Sequence, residues 1–277
     1  MDHNSDAAAA DLNFVGSFQK LVQHVHGAET HAFGGIMAYS TRLPIAMFNG
    51  AVVLARARPR EVRAAVRWLI EGDAPFEFFV RSEHADEVAV TLAPFGLARI
   101  AQPYPGMVVH AAVTMPPTAL GVAVRVVDDA ATLDEHRAVL VEGGLAPDVA
   151  LRMFPASWLT DPDVRILTGL LDGRPVGTGL AIRTGATSGV YNIGTRTSAR
   201  RRGVGAAVTV AAVEAGRTWG CDPIVLQSTE MGERLYRELG FRIVVRYTTF
   251  SRAGAPPIDV RPTRLRGGTT SGAIMRE

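Results

Sequence analysis

In the first half of the chain, the pattern of apolar and polar positions predicts alternating helices and strands. Apolar residues recur every three or four positions where we predict helices, and they form short continuous runs where we predict strands. Pro59 suits the first turn of a helix, because the amide hydrogen that proline lacks would be unpaired there. The predicted helices cover residues 12–25, 60–71 and 84–93, and the predicted strands cover residues 45–56, 76–80 and 107–113.

The second half alternates in the same way. Asp129 is a suitable N-cap for a helix, and Asp172-Gly173 is a strong signal for a hairpin between two strands. A looser helical segment runs through Trp158. The predicted strands cover residues 122–127, 166–171, 175–182, 188–195, 223–227 and 243–250, and the main helices cover residues 130–141, 204–215 and 231–239.

The two halves are similar to each other in order and spacing. Asn49 and Gly96 in the first half occupy positions equivalent to Asn192 and Gly240 in the second, at nearly equal separations. Coincidence is the alternative, but we interpret the pattern as a duplication with an α/β fold and a mixed sheet. The predicted organisation is a first domain at residues 12–118, a second at 120–252 and a disordered tail at 253–277.

Composition narrows the class of protein. The 277 residues suit about two domains, and 47% hydrophobic with 20% charged residues is typical of a soluble globular protein. No apolar run approaches the roughly 20 residues of a membrane span, and the N-terminal residues lack the order of a signal peptide. We therefore expect a cytoplasmic protein without a membrane partner. One cysteine and seven scattered histidines predict no metal site, and a net charge of +2 predicts no nucleic-acid partner.

The stretch from residue 195 to residue 207 carries the candidate chemistry. It lies between a predicted strand and a predicted helix, whose first amides are unpaired and attract anions. Gly203 and Gly205 allow close approach of a ligand, and three arginines at positions 200–202 suit phosphate oxygens. We expect a pyrophosphate group here.

Three known types of phosphate-binding loop are possible interpretations of this stretch. No Lys-Ser/Thr pair follows the second glycine, as a Walker loop requires. A dinucleotide fingerprint fits poorly, since Val208 replaces the third glycine and Ser228 stands where an acid would bind ribose. An acyl-CoA loop is the third possibility, and an ordinary Arg-rich turn is the alternative without function.

Two motifs favour the acyl-CoA loop. Residues 200–205, Arg-Arg-Arg-Gly-Val-Gly, resemble the Arg/Gln-x-x-Gly-x-Gly/Ala signature of the GNAT acyltransferase superfamily. Residues 235–241, Leu-Tyr-Arg-Glu-Leu-Gly-Phe, are similar to the second half of that signature. The resemblance covers residues 122–250 and implies the acyl-CoA N-acyltransferase fold. Tandem copies with a degenerate first copy also occur in this superfamily, and residues 57–60 have no glycine where that loop would lie.

The resemblance also implies roles for individual residues. The strand ending at Thr195 would part from its neighbour and bind pantetheine through its backbone, and the following amides would hold the pyrophosphate of acetyl-CoA. Tyr236 would protonate the departing thiolate. Many members have Asn at the position of Thr229, so this sequence departs from the pattern there. The implied cofactor-binding residues are Ile193, Gly194, Thr195, Arg200, Arg201, Arg202, Gly203, Val204, Gly205, Ala206 and Thr229.

The function implied by the resemblance is an N-acetyltransferase that acts on a primary amine of a small molecule or peptide by direct attack. A CoA-binding regulatory or interaction module without turnover is the alternative. Glu230, Glu233 and a water-mediated route through Tyr191 remain open as the general base. The acceptor would enter around residues 145–158, where Met153 and its apolar neighbours Phe154 and Trp158 are either its wall or, as we favour, core. Acceptor identity, acyl-chain length and oligomeric state stay open.

Overall fold

A computed structural model describes residues 3–100, 103–110 and 115–252. The tail that the sequence predicts to be disordered lies outside these residues. The strands are β1 Glu29–Phe33, β2 Ile36–Ser40, β3 Asn49–Val53, β4 Glu77–Arg81, β5 Leu97–Arg99, β6 Tyr104–Val109, β7 Val122–Val126, β8 Val164–Leu171, β9 Arg174–Thr184, β10 Thr187–Thr195, β11 Ile224–Gln227 and β12 Arg242–Arg252. The helices are α1 His3–His24, α2 Pro59–Glu71, α3 Ala85–Leu92, α4 Ala130–Glu142, α5 Pro147–Met153, α6 Val204–Thr218 and α7 Glu230–Glu238.

All described strands join one mixed sheet. Their order is β1-β2-β3-β4-β12-β6-β11-β10-β9-β8-β7, and β5 pairs with β12 beside this path. The described pairs are antiparallel except β3–β4 and β10–β11, which are parallel. Each parallel pair is connected through a helix, α2 in the first half and α6 in the second. The predicted α/β fold with a mixed sheet is confirmed.

The two halves repeat the same sequence of elements. The order β3-α2-β4-α3 in the first half matches β10-α6-β11-α7 in the second. Gly96 and Gly240 follow the second helix of each unit with φ angles of 75° and 87°, the left-handed conformation that glycine adopts without strain. The structure therefore contains the internal repeat that the spacing predicted.

Strands from the two halves alternate at the centre of the sheet. β6, from the first half, lies beside β11, whereas β12, from the second half, lies beside β4. β6 and β12 also pair with each other. Each half thus completes its sheet with a strand from the other. The predicted division of the chain at residues 118–120 stays a prediction.

The helices cover both faces of the sheet. Alternate residues of a strand point to opposite faces. In β4, Phe78 packs in the cluster under α2 and α3, whereas Phe79 packs under α1. In β11, Leu226 packs under α6, whereas Val225 again packs under α1. The face that carries α1, together with α4 and α5, is called the α1 face below.

Sequence patterns located most elements but were wrong near the start. The strand predicted over residues 45–56 is limited to β3, because a short 3-10 helix, Ala46–Phe48, precedes it. β1 and β2 were not predicted. β1 is almost entirely exposed, so its sequence has no apolar alternation to detect. Asp129 caps α4 as predicted, since its carboxylate accepts a hydrogen bond from the Thr132 amide at 2.7 Å.

Asn49 fixes the segment that precedes β3. Its side chain is buried, and both its oxygen and its nitrogen bind backbone groups. The oxygen accepts from the amides of Thr41 and Arg42, and the nitrogen donates to the carbonyls of Leu43, Ile45 and Pro75, at 2.9–3.1 Å. One side chain therefore replaces the regular secondary structure that this segment lacks.

Asn49→Ala should lower the free energy of unfolding by about 3 kcal/mol or more, because it leaves several buried backbone groups without partners. Urea denaturation measures this loss. Val90→Ala, at an exposed position, is the control and should change stability little. A loss below about 1 kcal/mol for Asn49→Ala would show that the segment is held by other contacts.

Candidate active site

β10 and β11 part soon after they begin. They pair only at Ser188 with Ile224 and at Gly189 with Val225. From residue 190 onward, the edge of β10 that would face β11 has no strand partner. This register agrees with the expectation from the sequence that the end of β10 separates from β11.

A β-bulge in β10 accompanies the parting. Tyr191 lies opposite Leu180 of β9, but Gly194 lies opposite Thr178, so β10 contains one extra residue. Asn192, inside the bulge, has a φ of 53°. The Thr178 hydroxyl donates a hydrogen bond to the Asn192 carbonyl at 2.9 Å and holds the bulge in place.

Polar atoms at the parted ends have no partner. The Asn192 side-chain nitrogen is buried without a hydrogen bond. Both polar atoms of the Gln227 side chain, at the end of β11, are also buried and unpaired. Buried polar groups in folded proteins are nearly always paired, so these atoms indicate where a ligand or water binds.

The connection from β10 to α6 presents backbone amides. Arg201 and Gly203 both have left-handed backbones, with φ angles of 65° and 82°. Such a run of turns directs successive amides to one side, where they bind anions. Gly203 is the N-cap of α6 and provides no side chain to cap the first turn. The first amides of the helix, at Val204, Gly205 and Ala206, thus remain available to an anion.

Gly205 leaves space that the fold itself does not need. A Cβ built on Gly205 would lie 3.6 Å from the Thr195 hydroxyl and 3.7 Å from Leu235, which are ordinary contacts. At Gly203, a Cβ would lie 2.7 Å from that of Ala119 and would clash. Packing therefore explains Gly203 but not Gly205. Close approach of a ligand would account for Gly205.

The three arginines lie around this loop in different environments. Arg200 donates to the Thr195 carbonyl at 3.3 Å, which joins the loop to the end of β10. Arg201 is exposed, and Arg202 lies 3.5 Å from the Asp172 carboxylate in the hairpin turn between β8 and β9. The predicted cofactor residues at positions 193–206 are therefore contiguous in space as well as in sequence.

Tyr236 and Thr229 lie on α7, at the end of β11. Thr229 is the N-cap of α7, but its side chain makes no capping hydrogen bond. Tyr236 leans toward the start of the helix, because a Cβ on Gly232 would lie 2.9 Å from its ring. Its hydroxyl forms no hydrogen bond with any residue that the structure describes, and burial raises its pKa to about 12. The phenol is therefore protonated at neutral pH.

The equivalent region of the first half is closed. β3 and β4 remain paired over four residue pairs, from Gly50 with Glu77 to Val53 with Val80. At the start of α2, the Glu61 carboxylate accepts a hydrogen bond from the Arg58 amide at 3.0 Å. An internal carboxylate thus occupies the position where an anion would bind.

The candidate bases and the predicted acceptor wall have other partners. The Tyr191 hydroxyl donates to Asn13 Oδ1 at 2.6 Å, and Glu233 forms an ion pair with Arg237 at 2.8 Å. Glu230 is exposed. The three apolar residues of the wall are buried in the core, as we favoured: Met153, Phe154 and Trp158. Sequence reasoning missed Thr178 and Gln227, whose residue types give no signal outside the three-dimensional arrangement.

Among the described residues, no group of three or more His, Cys, Asp or Glu side chains could hold a metal ion. None of the helices in residues 3–252 that the structure describes is both long and apolar enough to cross a membrane.

Comparison with known families identifies the second half of the chain. Residues 133–241 match the model of the Acetyltransferase (GNAT) family, a range that includes the parted strands, the Arg/Gly loop and Tyr236. These residues form a GNAT domain. No curated protein matches the chain significantly.

Solved structures show the same fold over most of the chain. A GCN5-related N-acetyltransferase from Kribbella flavida is 21% identical, with a TM-score of 0.66, over 90% of this chain and 95% of that one. The corresponding protein from Sphaerobacter thermophilus is 16% identical, with a TM-score of 0.59, over 78% and 76%. A tandem GNAT protein from the clavulanic acid biosynthesis pathway is 16% identical, with a TM-score of 0.55, over 90% and 89%. The N-acetyltransferase fold in tandem form is therefore shown.

Gly205→Val should weaken CoA binding on the order of 10- to 100-fold, because atoms beyond Cβ, which the Gly/Ala position of the signature does not allow, would fill space next to the helix amides. The free energy of unfolding should change by no more than about 1 kcal/mol, since a Cβ at Gly205 makes only ordinary contacts. Calorimetric titration with CoA and urea denaturation measure the two effects. Gly216→Val in the same helix is the matched control. Its Cβ would lie 2.6 Å from Ile224, so it should lower stability. Unchanged CoA affinity in Gly205→Val would contradict the assignment of this space.

Proposed function

We propose that the protein is an acyl-CoA-dependent N-acyltransferase that transfers an acetyl group from acetyl-CoA to a primary amine in a ternary complex. The observation that carries the proposal is the parting of β10 from β11 directly before an uncapped helix N-terminus. The unpaired backbone of β10 can form hydrogen bonds with a chain that contains amides, and the converging amides of the loop and helix can bind a pyrophosphate. Acetyl-CoA contains both groups, because its pantetheine is joined to a pyrophosphate.

The residues of the site fit such a ligand. The amides of residues 201–206 would hold the pyrophosphate, and Arg200, Arg201 and Arg202 would add positive charge around it. The edge of β10 at Ile193, Gly194 and Thr195 would bind the pantetheine amides. Thr229, across the gap at the start of α7, would contact the cofactor from the other side.

The reaction follows from these positions. The amine nitrogen attacks the thioester carbonyl carbon and forms the C–N bond, while a backbone amide near Thr195 stabilises the negative charge on oxygen. The C–S bond then breaks, and its electron pair remains on sulfur. Tyr236 donates a hydrogen bond to that sulfur as the bond breaks. The departing thiolate takes up one proton from solvent, and the amine's surplus proton, released to solvent, restores the balance.

The pKa of Tyr236 limits its role to a hydrogen bond. A thiol has a pKa near 8.5, so complete proton transfer from a phenol of pKa about 12 is uphill by roughly 5 kcal/mol. We therefore assign to Tyr236 a hydrogen bond to sulfur that strengthens as negative charge develops there.

A CoA-binding module without turnover is the second candidate. A feature of the first half of the chain supports it. That half retains the fold although Glu61 closes its helix N-terminus, so this fold persists without the cofactor site. Both candidates predict CoA binding, and only turnover distinguishes them.

Tyr236→Phe should reduce kcat on the order of 10²-fold and leave CoA affinity nearly unchanged, since the hydroxyl binds no other residue within the described ranges. Release of free CoA from acetyl-CoA with a panel of primary amines measures kcat. Undiminished turnover in the variant would remove Tyr236 from the mechanism. CoA binding without turnover of any amine in the wild type would favour the binding module.

A further inference from the structure

A serine, a histidine and an aspartate form a hydrogen-bonded group away from the cofactor loop. His24 is the last residue of α1, and Ser157 and Asp161 lie in the segment that connects α5 to β8. The His24 ring contacts the Ser157 hydroxyl through Nδ1 at 2.9 Å and the Asp161 carboxylate through Nε2 at 2.8 Å. These contacts are those of a nucleophilic serine, its general base and the acid that orients the base. The three residues are called the Ser157 triad below.

A single tautomer of His24 satisfies both contacts. An ionised carboxylate only accepts hydrogen bonds, so Nε2 is assigned the proton and donates it to Asp161. Nδ1 then has a free lone pair, which accepts the hydrogen bond from the Ser157 hydroxyl. The two ring nitrogens have exchanged the roles that they have in serine proteases, but either nitrogen can act as a base. The serine proton therefore already points at the nitrogen that would remove it.

Three donors hold Asp161 in place. Besides His24, the Lys20 ammonium lies 2.9 Å from its Oδ2, and the Asp163 amide donates to its Oδ1 at 2.9 Å. Burial raises the pKa of Asp161, but the hydrogen bonds that it accepts outweigh this effect and hold the pKa below its ordinary value. Asp161 is therefore ionised at neutral pH, and its charge stabilises the imidazolium that forms when His24 takes a proton.

Packing fixes the base and leaves the nucleophile open. The His24 ring stacks on Trp158, with the ring centroids 4.3 Å apart and the planes inclined by 21°. The side chains of His24 and Asp161 are each only 10% exposed, whereas Ser157 is exposed. A reagent in solution can therefore reach the serine oxygen, while the base behind it is held in one orientation.

The Ser157 triad is separate from the proposed acetyl-transfer site. It lies before β8, whose Val164 pairs with Ile182 of β9, and Ile182 pairs with Gly189 near the start of β10. The cofactor loop follows the other end of β10, where Thr195 pairs with Gly177 of β9. At the usual rise of a strand, Ile182 and Gly177 are roughly 17 Å apart. Chemistry at Ser157 would therefore not use the cofactor loop.

We propose that Ser157 is the nucleophile of a second site, which hydrolyses small activated carboxylic esters such as aryl acetates. The serine oxygen attacks the ester carbonyl carbon and forms a C–O bond, while His24 takes the serine proton. The bond to the leaving oxygen then breaks, and His24 gives that proton to the departing alcohol. Water attacks the acyl group on Ser157 and returns a proton to the serine oxygen through His24, which releases the carboxylic acid. An exposed serine offers little surface for a long acyl chain, so small esters are favoured.

Labelling with a fluorophosphonate tests the nucleophile, because this reagent bonds to an activated serine oxygen as fluoride leaves. Mass spectrometry of the intact wild type should show one adduct, and peptide mapping should locate it at Ser157. Ser157→Ala should gain no adduct, and Ser5→Ala, at an exposed serine of α1, should be labelled like wild type. Failure of the wild type to react, or reaction at other residues alone, would overturn the proposal.

Hydrolysis of p-nitrophenyl acetate tests turnover. Ser157→Ala and His24→Gln should each lower kcat/KM by about 10-fold or more, because each removes a group that takes part in the reaction. Asp161→Asn should also lower it, since the amide no longer favours the reactive tautomer. The melting temperature of Ser157→Ala should stay within a few degrees of wild type, as expected for an exposed position. Equal hydrolysis by Ser157→Ala and wild type would show that the triad is only a structural link between α1 and the segment before β8.

Saturating CoA distinguishes this proposal from the proposed function. Labelling of Ser157 in the presence of CoA should proceed at the rate seen without CoA, because the two sites are separate. Protection by CoA would place Ser157 in the cofactor site and overturn the assignment of a second site. Ester hydrolysis that depends on Ser157 supports the proposal even if the protein acetylates no amine, a result that would refute only the acetyl transfer.

Discussion

The pairing of β6 with β12 is the interaction on which the rest of the structure depends. Each strand has an edge whose backbone groups must be paired, and each finds its partners in the other half of the chain. The exchange turns two copies of one fold into a single sheet. It also gives both copies a common α1 face, where strands of both halves pack under α1.

In the candidate active-site region, β10 and β11 leave part of their facing edges unpaired. β10 and β11 separate after two pairs, and the bulge at Asn192 keeps them apart. The first half shows the same elements with pairing retained, since β3 and β4 stay together and Glu61 closes the helix N-terminus. Comparison of the two copies distinguishes what the fold needs from what the proposed cofactor would need. We assign Gly205, Gln227 and the bulge to the second group.

Much of this account could be predicted from the sequence, because the responsible signals are local. Helical periodicity located α2, α4 and α6, and the Arg/Gly loop with Tyr236 predicted the family that residues 133–241 match. The exposed β1 left no periodic signal. The exchange of β6 and β12 could not be predicted, since apolar alternation specifies a strand but not its neighbour.

A crystal structure with acetyl-CoA bound tests the central claim most directly. The account predicts the pyrophosphate at the amides of residues 201–206, the pantetheine along the open edge of β10, and the thioester sulfur within hydrogen-bonding distance of the Tyr236 hydroxyl. A cofactor bound elsewhere, or β10 and β11 closed against each other with no cofactor between them, would contradict it.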